Sequence, residues 1–185
     1  MSIVKSLMRV KWLVPFTFFL FVSTKVATAA PASSCTLPQG LDSKIATKFP
    51  GTHLVSLADL DDYDKKLYKK DHGSQCPGLV RINFYGDGKA TWALVLISGT
   101  DPKKMKAELI VARQLDVEWD IRSLEITDGT PVVWREGPGK YDGLYEGDIK
   151  TIHATNPVIV FCGYESWAIV YSWNGKEVEK VWTSD

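Results

Sequence analysis

Leu79-Val80-Arg81-Ile82-Asn83-Phe84-Tyr85, a Gly86-Asp87-Gly88 break, and Thr91-Trp92-Ala93-Leu94-Val95-Leu96-Ile97-Ser98 decide the fold. From Leu79 onward, alternating positions are filled by β-branched and aromatic side chains, and glycine-rich turn signals return every ten or so residues. Such spacing predicts successive short strands. The expected strands are Leu79–Tyr85, Thr91–Ser98, Ala107–Gln114, Trp119–Ile126, Pro131–Arg135, Val158–Cys162, Trp167–Trp173 and Glu177–Thr183. Asn174-Gly175 predicts a tight two-residue hairpin that brings Tyr171 and Trp173 opposite Val178 and Lys180.

Upstream the period lengthens. Leu41, Ile45 and Phe49 lie four apart, with Asp42 available as a cap and Pro50-Gly51 as a stop, so a helix is expected over 41–49. His53 to Leu57 reads as a strand, and Leu60, Tyr63 and Leu67 place a second helix over 59–70. Two helices followed by a run of strands predict an α+β domain, the helices packed on one face of an antiparallel meander of seven to eight strands.

One segment resists assignment. Arg135-Glu136-Gly137-Pro138-Gly139-Lys140-Tyr141-Asp142-Gly143-Leu144-Tyr145-Glu146-Gly147 is rich in glycine and mixed in charge, and is expected to form a long mobile loop. Long loops in compact domains often carry function. Trp134, Arg135, Glu136, Tyr141, Tyr145 and Trp173 are therefore the expected binding surface, with Trp134 and Trp173 the most exposed of the six tryptophans after residue 29.

The N-terminus supplies an address. Lys5, Arg9 and Lys11 precede an apolar run from Trp12 to Val22, and Ala27-Thr28-Ala29 provides a small-residue cleavage track. This order predicts a cleaved secretory signal over 1–29, a short linker over 30–34 and one domain over 35–185. The run is shorter than the roughly 20 residues a spanning helix needs. Cleavage removes four of the 22 basic residues and none of the 22 acidic ones, leaving a net charge of −4. That balance argues against nucleic-acid binding, and Lys65, Lys66, Lys69 and Lys70 are interleaved with Asp61, Asp62, Asp64 and Asp71 as on a solvated helix face. No membrane association is expected after cleavage. Ala32-Ser33-Ser34-Cys35 has some lipobox character, but polar residues separate it from the apolar run.

Cys35, Cys76 and Cys162 all lie beyond the expected signal. Export favours one bridge, and Cys76 with Cys162 is the leading pair because each adjoins an expected strand; a bridge from Cys35 stays open.

The stretch from Asn83 to Thr91, with its Gly86-Asp87-Gly88-Lys89 core, resembles a single FG-GAP-type hairpin of exported bacterial proteins. In that family, oxygen side chains at alternating loop positions bind calcium. The matching positions are Asn83, Tyr85, Asp87 and Thr91, which supply one carboxylate, so neither calcium nor any other cofactor is expected. More broadly, Cys76-Pro77-Gly78 before this hairpin and the ending Val181-Trp182-Thr183-Ser184-Asp185 resemble a group of small exported bacterial proteins. The resemblance implies export and a single domain, and carries no reaction with it.

Catalytic motifs are sparse. His53, His72 and His153 have no metal-ligand spacing, there is no nucleophile elbow, and Cys162, although followed by Gly163, has no base placed beside it by the sequence. The expectation is a periplasmic or secreted binding module of inhibitor or immunity type, its partner an envelope or secreted protein. The alternative is an envelope hydrolase using acids such as Asp87, Glu136, Asp142 and Glu165.

Overall fold

The computed structural model describes residues 35–99, 104–164 and 166–183; the expected signal and linker lie outside them. Helix α1 covers Leu41–Lys48 and α2 covers Asp62–His72. The strands are β1 Thr52–Leu54, β2 Leu79–Ile82, β3 Thr91–Ser98, β4 Lys106–Leu115, β5 Glu118–Asp128, β6 Val132–Glu136, β7 Gly139–Tyr145, β8 Asp148–Ala154, β9 Val158–Gly163, β10 Trp167–Trp173 and β11 Val178–Thr183.

These strands form two antiparallel sheets, which corrects the expected α+β meander to a mainly β, two-sheet architecture. Sheet A runs β1-β3-β4-β5 with β2 also paired to β3, and sheet B runs β6-β9-β10-β11-β7-β8. The reason lies in β3 and β4, whose central residues are buried on both faces. Ala93, Val95 and Ile97 on β3, with Ala107, Leu109 and Val111 on β4, enter the core shared with sheet B. The alternate residues Leu94, Leu96, Ile110 and Ala112 enter a second core under α1 with Leu41 and Ile45. A sheet covered on both faces needs another layer, and eight residues of α1 supply only one side of it. Burying Leu41 and Ile45 contributes roughly 1.5–3 kcal/mol each.

The helices thus do not share a face. Asp61 starts α2, its carboxylate accepting from the Tyr63 and Asp64 amides at 2.9 and 2.8 Å. Asp59, an expected helical residue, instead holds the preceding turn by accepting from the Ser56 amide and hydroxyl. Tyr68 of α2 is buried in the shared core, and His72 stacks on Trp134 of β6 with ring centroids 4.8 Å apart. Helix α2 therefore covers sheet B.

The expected loop over 135–147 is not a loop. It is the end of β6, a turn at Gly137-Pro138, and β7, which pairs along its whole length with β8. Strand β8 had no counterpart among the expected strands. The alternation exists, with Lys140, Asp142 and Leu144 exposed and Tyr141, Gly143 and Tyr145 half-buried, but glycine hides it. Gly143 crosses β11 so closely that a Cβ there would overlap the Trp182 carbonyl and lie 3.1 Å from the Val181 Cβ. The β10–β11 hairpin expected around Asn174-Gly175 is present, and it pairs Tyr171 with Lys180 and Trp173 with Val178. Its connection has four residues instead of two, because the Asn174 side chain accepts from the Lys176 and Glu177 amides.

Cys76-Pro77-Gly78 is a junction. Cys76 is bonded to Cys35, the Pro77 carbonyl accepts from the Val133 amide of β6 at 2.8 Å, and Gly78 leaves no room for a Cβ against the Val55 backbone. The Cys35–Cys76 disulfide, with Cα atoms 4.9 Å apart, replaces the favoured Cys76–Cys162 pairing. The two cysteines of that expected pair lie in different layers. Cys76 is in the core under α1, whereas Cys162 is a buried thiol in the middle of sheet B. A disulfide is compatible with an exported protein, and among the described residues no helix is long and apolar enough to cross a membrane.

Candidate functional site

Sheet B presents one face to sheet A, where Tyr171 of β10 donates to Glu125 of β5 at 2.8 Å. The alternate residues face the other way. Register aligns Trp134 with Val160 and Val170, and places Cys162 beside Ala168 and Thr183. These rows floor a cleft of about 400 Å³, bounded by Leu67, Asp71 and His72 of α2, Tyr141 of β7 and Tyr164.

The walls are aromatic. Trp134 donates its indole N–H to Glu136 Oε1 at 3.2 Å and lies against His72, which also meets Tyr68 with centroids 4.8 Å apart. Tyr141 donates its hydroxyl to the Gly137 carbonyl at 2.6 Å, which fixes its ring beside the β6–β7 turn. Burial pushes the His72 pKa below its ordinary 6.5, against the attraction of Asp71 and Glu136. Burial likewise raises the Tyr141 hydroxyl, helped by the Glu136 charge. Tyr164 is raised further, by burial first and then by Asp71 and Cys162, and its buried hydroxyl has no hydrogen-bond partner among the described residues.

Asp71 and Glu136 are exposed at the rim. Among the described residues, neither carboxylate has a lysine or arginine within ion-pair distance, although the surface pairs Lys44–Glu118, Lys106–Asp128 and Lys140–Asp142 show how readily acids are matched elsewhere. The cleft therefore combines an apolar floor, aromatic walls and an uncompensated negative edge.

Of the expected binding residues, the fold brings Trp134, Glu136 and Tyr141 together here. Arg135 does not line the cleft; it borders one depression with Arg81 and Lys89 and another with His72, Trp134 and Glu136. Tyr145 lies at the far end of β7 with the Lys150 ammonium 4.8 Å from its ring centroid, and Trp173 is half-buried edge-on to Tyr85 at 5.1 Å. His72, Tyr164 and the Val160–Val170 floor were missed by sequence reasoning, since nothing in their spacing links α2 to β9 and β10. The one available signal was the helical position of Asp71-His72 beside the apolar Leu67.

Three of the acids proposed for hydrolysis, Asp87, Glu136 and Asp142, lie in different surroundings. Asp87 faces Arg113 at 3.5 Å and accepts from the Lys89 amide within its own turn, Asp142 is held by Lys140 and Thr151 on β7, and Glu165 lies outside the described residues. His53 shares Asp59 with Ser56, an arrangement in which both hydroxyl and imidazole bond the carboxylate and not each other. A nucleophile needs its base within hydrogen-bond reach, and here the two are joined only through the acid. Compared with known proteins, the chain matches no family model, no curated protein and no solved structure.

Proposed function

We propose that this is an exported single-domain protein that works by binding another protein, as an inhibitor or immunity-type module in the periplasm or outside the cell. The N-terminal signal pattern and the disulfide support the compartment. The observation that carries the binding reading is the cleft between α2 and the β7–β8 hairpin, where Trp134, Tyr141 and His72 surround an open apolar floor. Aromatic side chains that expose ring surface beside a polar rim are the common anchors of protein interfaces. The contact surface is thus this cleft and its β6–β7 lip, not a mobile loop.

Mature oxidised protein used as bait in envelope extract should retain one stoichiometric partner, and a Trp134→Ala/Tyr141→Ala variant with unchanged circular dichroism should lose it. Retention of nothing above control, or equal retention by the variant, overturns the reading.

A further inference from the structure

We infer that the cleft is an arginine receptor: it takes the guanidinium of an arginine side chain presented by the partner. The inference rests on the binding reading above and adds the chemistry of recognition. An arginine side chain has two unlike parts, an apolar stem and a planar, permanently charged head with a fork of donors. The cleft is divided in the same way.

Val160, Ala168 and Val170 make a floor on which methylenes can lie, and Leu67 closes one side of it. The rim carries Glu136 and Asp71, both close enough to His72 to act on its charge. Glu136 already has one oxygen engaged by the Trp134 indole, which orients the carboxylate and leaves its other oxygen for an incoming donor. Trp134 and Tyr141 line the same cleft, and a guanidinium can stack on an aromatic face while its edge bonds a carboxylate.

Among the described residues, no lysine or arginine lines this cleft or forms an ion pair with Asp71 or Glu136; Arg135, next to Glu136 in β6, borders a neighbouring depression without pairing to it. His72, the basic group among the described residues that line the cleft, is held toward its neutral form by burial, so it does not cancel the acids near neutral pH. A negative edge beside exposed aromatic surface, left without an internal partner, is complementary to an external cation. The planar, aromatic character of the walls favours guanidinium over ammonium.

The test uses the whole mature, oxidised protein and three small probes: Nα-acetyl-arginine methylamide, its uncharged citrulline counterpart and its lysine counterpart. The readout is the NMR signal of the Trp134 indole N–H, assigned by its loss in Trp134→Phe. The arginine probe should move that signal saturably. Citrulline and lysine probes should bind at least about tenfold more weakly, and Glu136→Gln/Asp71→Asn should weaken the arginine probe by about tenfold or more, the loss of charge-assisted hydrogen bonds. Those isosteric changes are on exposed side chains, and an unaltered remainder of the spectrum checks the fold. Equal shifts with citrulline or lysine, or an arginine shift unaffected by the double variant, overturn the inference. The binding reading would then stand or fall separately, on whether envelope extract still yields a partner that depends on Trp134 and Tyr141.

Discussion

Glu125 is the residue on which the two sheets meet through polar atoms. It projects from β5 of sheet A and accepts from the Tyr171 hydroxyl at 2.8 Å and from the Lys180 ammonium at 2.6 Å, both on sheet B. Tyr171 is 1% exposed, so its hydroxyl has no access to water as a substitute acceptor. Glu125→Ala should therefore lower unfolding stability by about 1–3 kcal/mol, the cost of leaving a buried donor unmet, whereas Glu125→Gln should cost less because an acceptor remains. Urea titration of both variants reads the difference; an unchanged midpoint for Glu125→Ala would show that the network contributes nothing. No local pattern flags Glu125, which sits in an alternating strand like any exposed acid. Capping residues are more legible. Asn174 marks its turn as expected, but by side-chain bonds and not by the positive φ of a two-residue turn. The helix expected over 59–70 starts later, at Asp62 after the Asp61 cap, because Asp59 is held by the Ser56 hydrogen bonds in the turn before α2.

Among the elements, β3 and β10 have the limits read from the sequence, because β-branched and aromatic alternation ends there in clear turn residues. The β7–β8 hairpin escaped detection for a physical reason that is itself testable. Gly143 looks like loop composition, yet it is required by the approach of β11, which leaves no space for a side chain. Gly143→Val should lift β7 from β11, lowering stability by about 1–3 kcal/mol as overpacking does. Hydrogen exchange should accelerate across residues 139–154 while the β3 and β4 amides stay protected. Gly137→Ala, which adds a Cβ into open space, serves as the near-neutral control. The same hairpin carries Tyr141 to the cleft. The mobile loop expected over 135–147 thus gives way to a paired strand.

At the scale of the molecule, the Cys35–Cys76 bridge ties the segment before α1 to the start of β2 across a sequence separation of 41. Closing a loop of that size restricts the unfolded chain by about 4 kcal/mol on the chain-entropy model. Guanidinium unfolding of the mature protein with and without reductant should differ by roughly that amount, and the oxidised, unfolded chain should titrate as one thiol. A titration of three thiols or of none, or a reductant-insensitive midpoint, would contradict the arrangement. All described residues fall within one compact unit, Pro31–Asp185, and both sheets contribute to its main core, so a loss on either side should be felt in a single transition.

By itself the sequence determined most of the strands, the two helical stretches and the place of the last hairpin, and it supplied the expectation of export. These are local or additive properties: period, turn chemistry and charge are read from neighbours along the chain. The tertiary structure decided what depends on neighbours in space. It divided one run of strands between two sheets because β3 and β4 must be covered on both faces. It placed Cys76 and Cys162 in different layers, so that Cys35 took the bridge. It set Trp134, Glu136 and Tyr141 beside His72 and Tyr164, with Arg135 outside the cleft lining, because only the packing of α2 on sheet B fixes which face becomes a cleft.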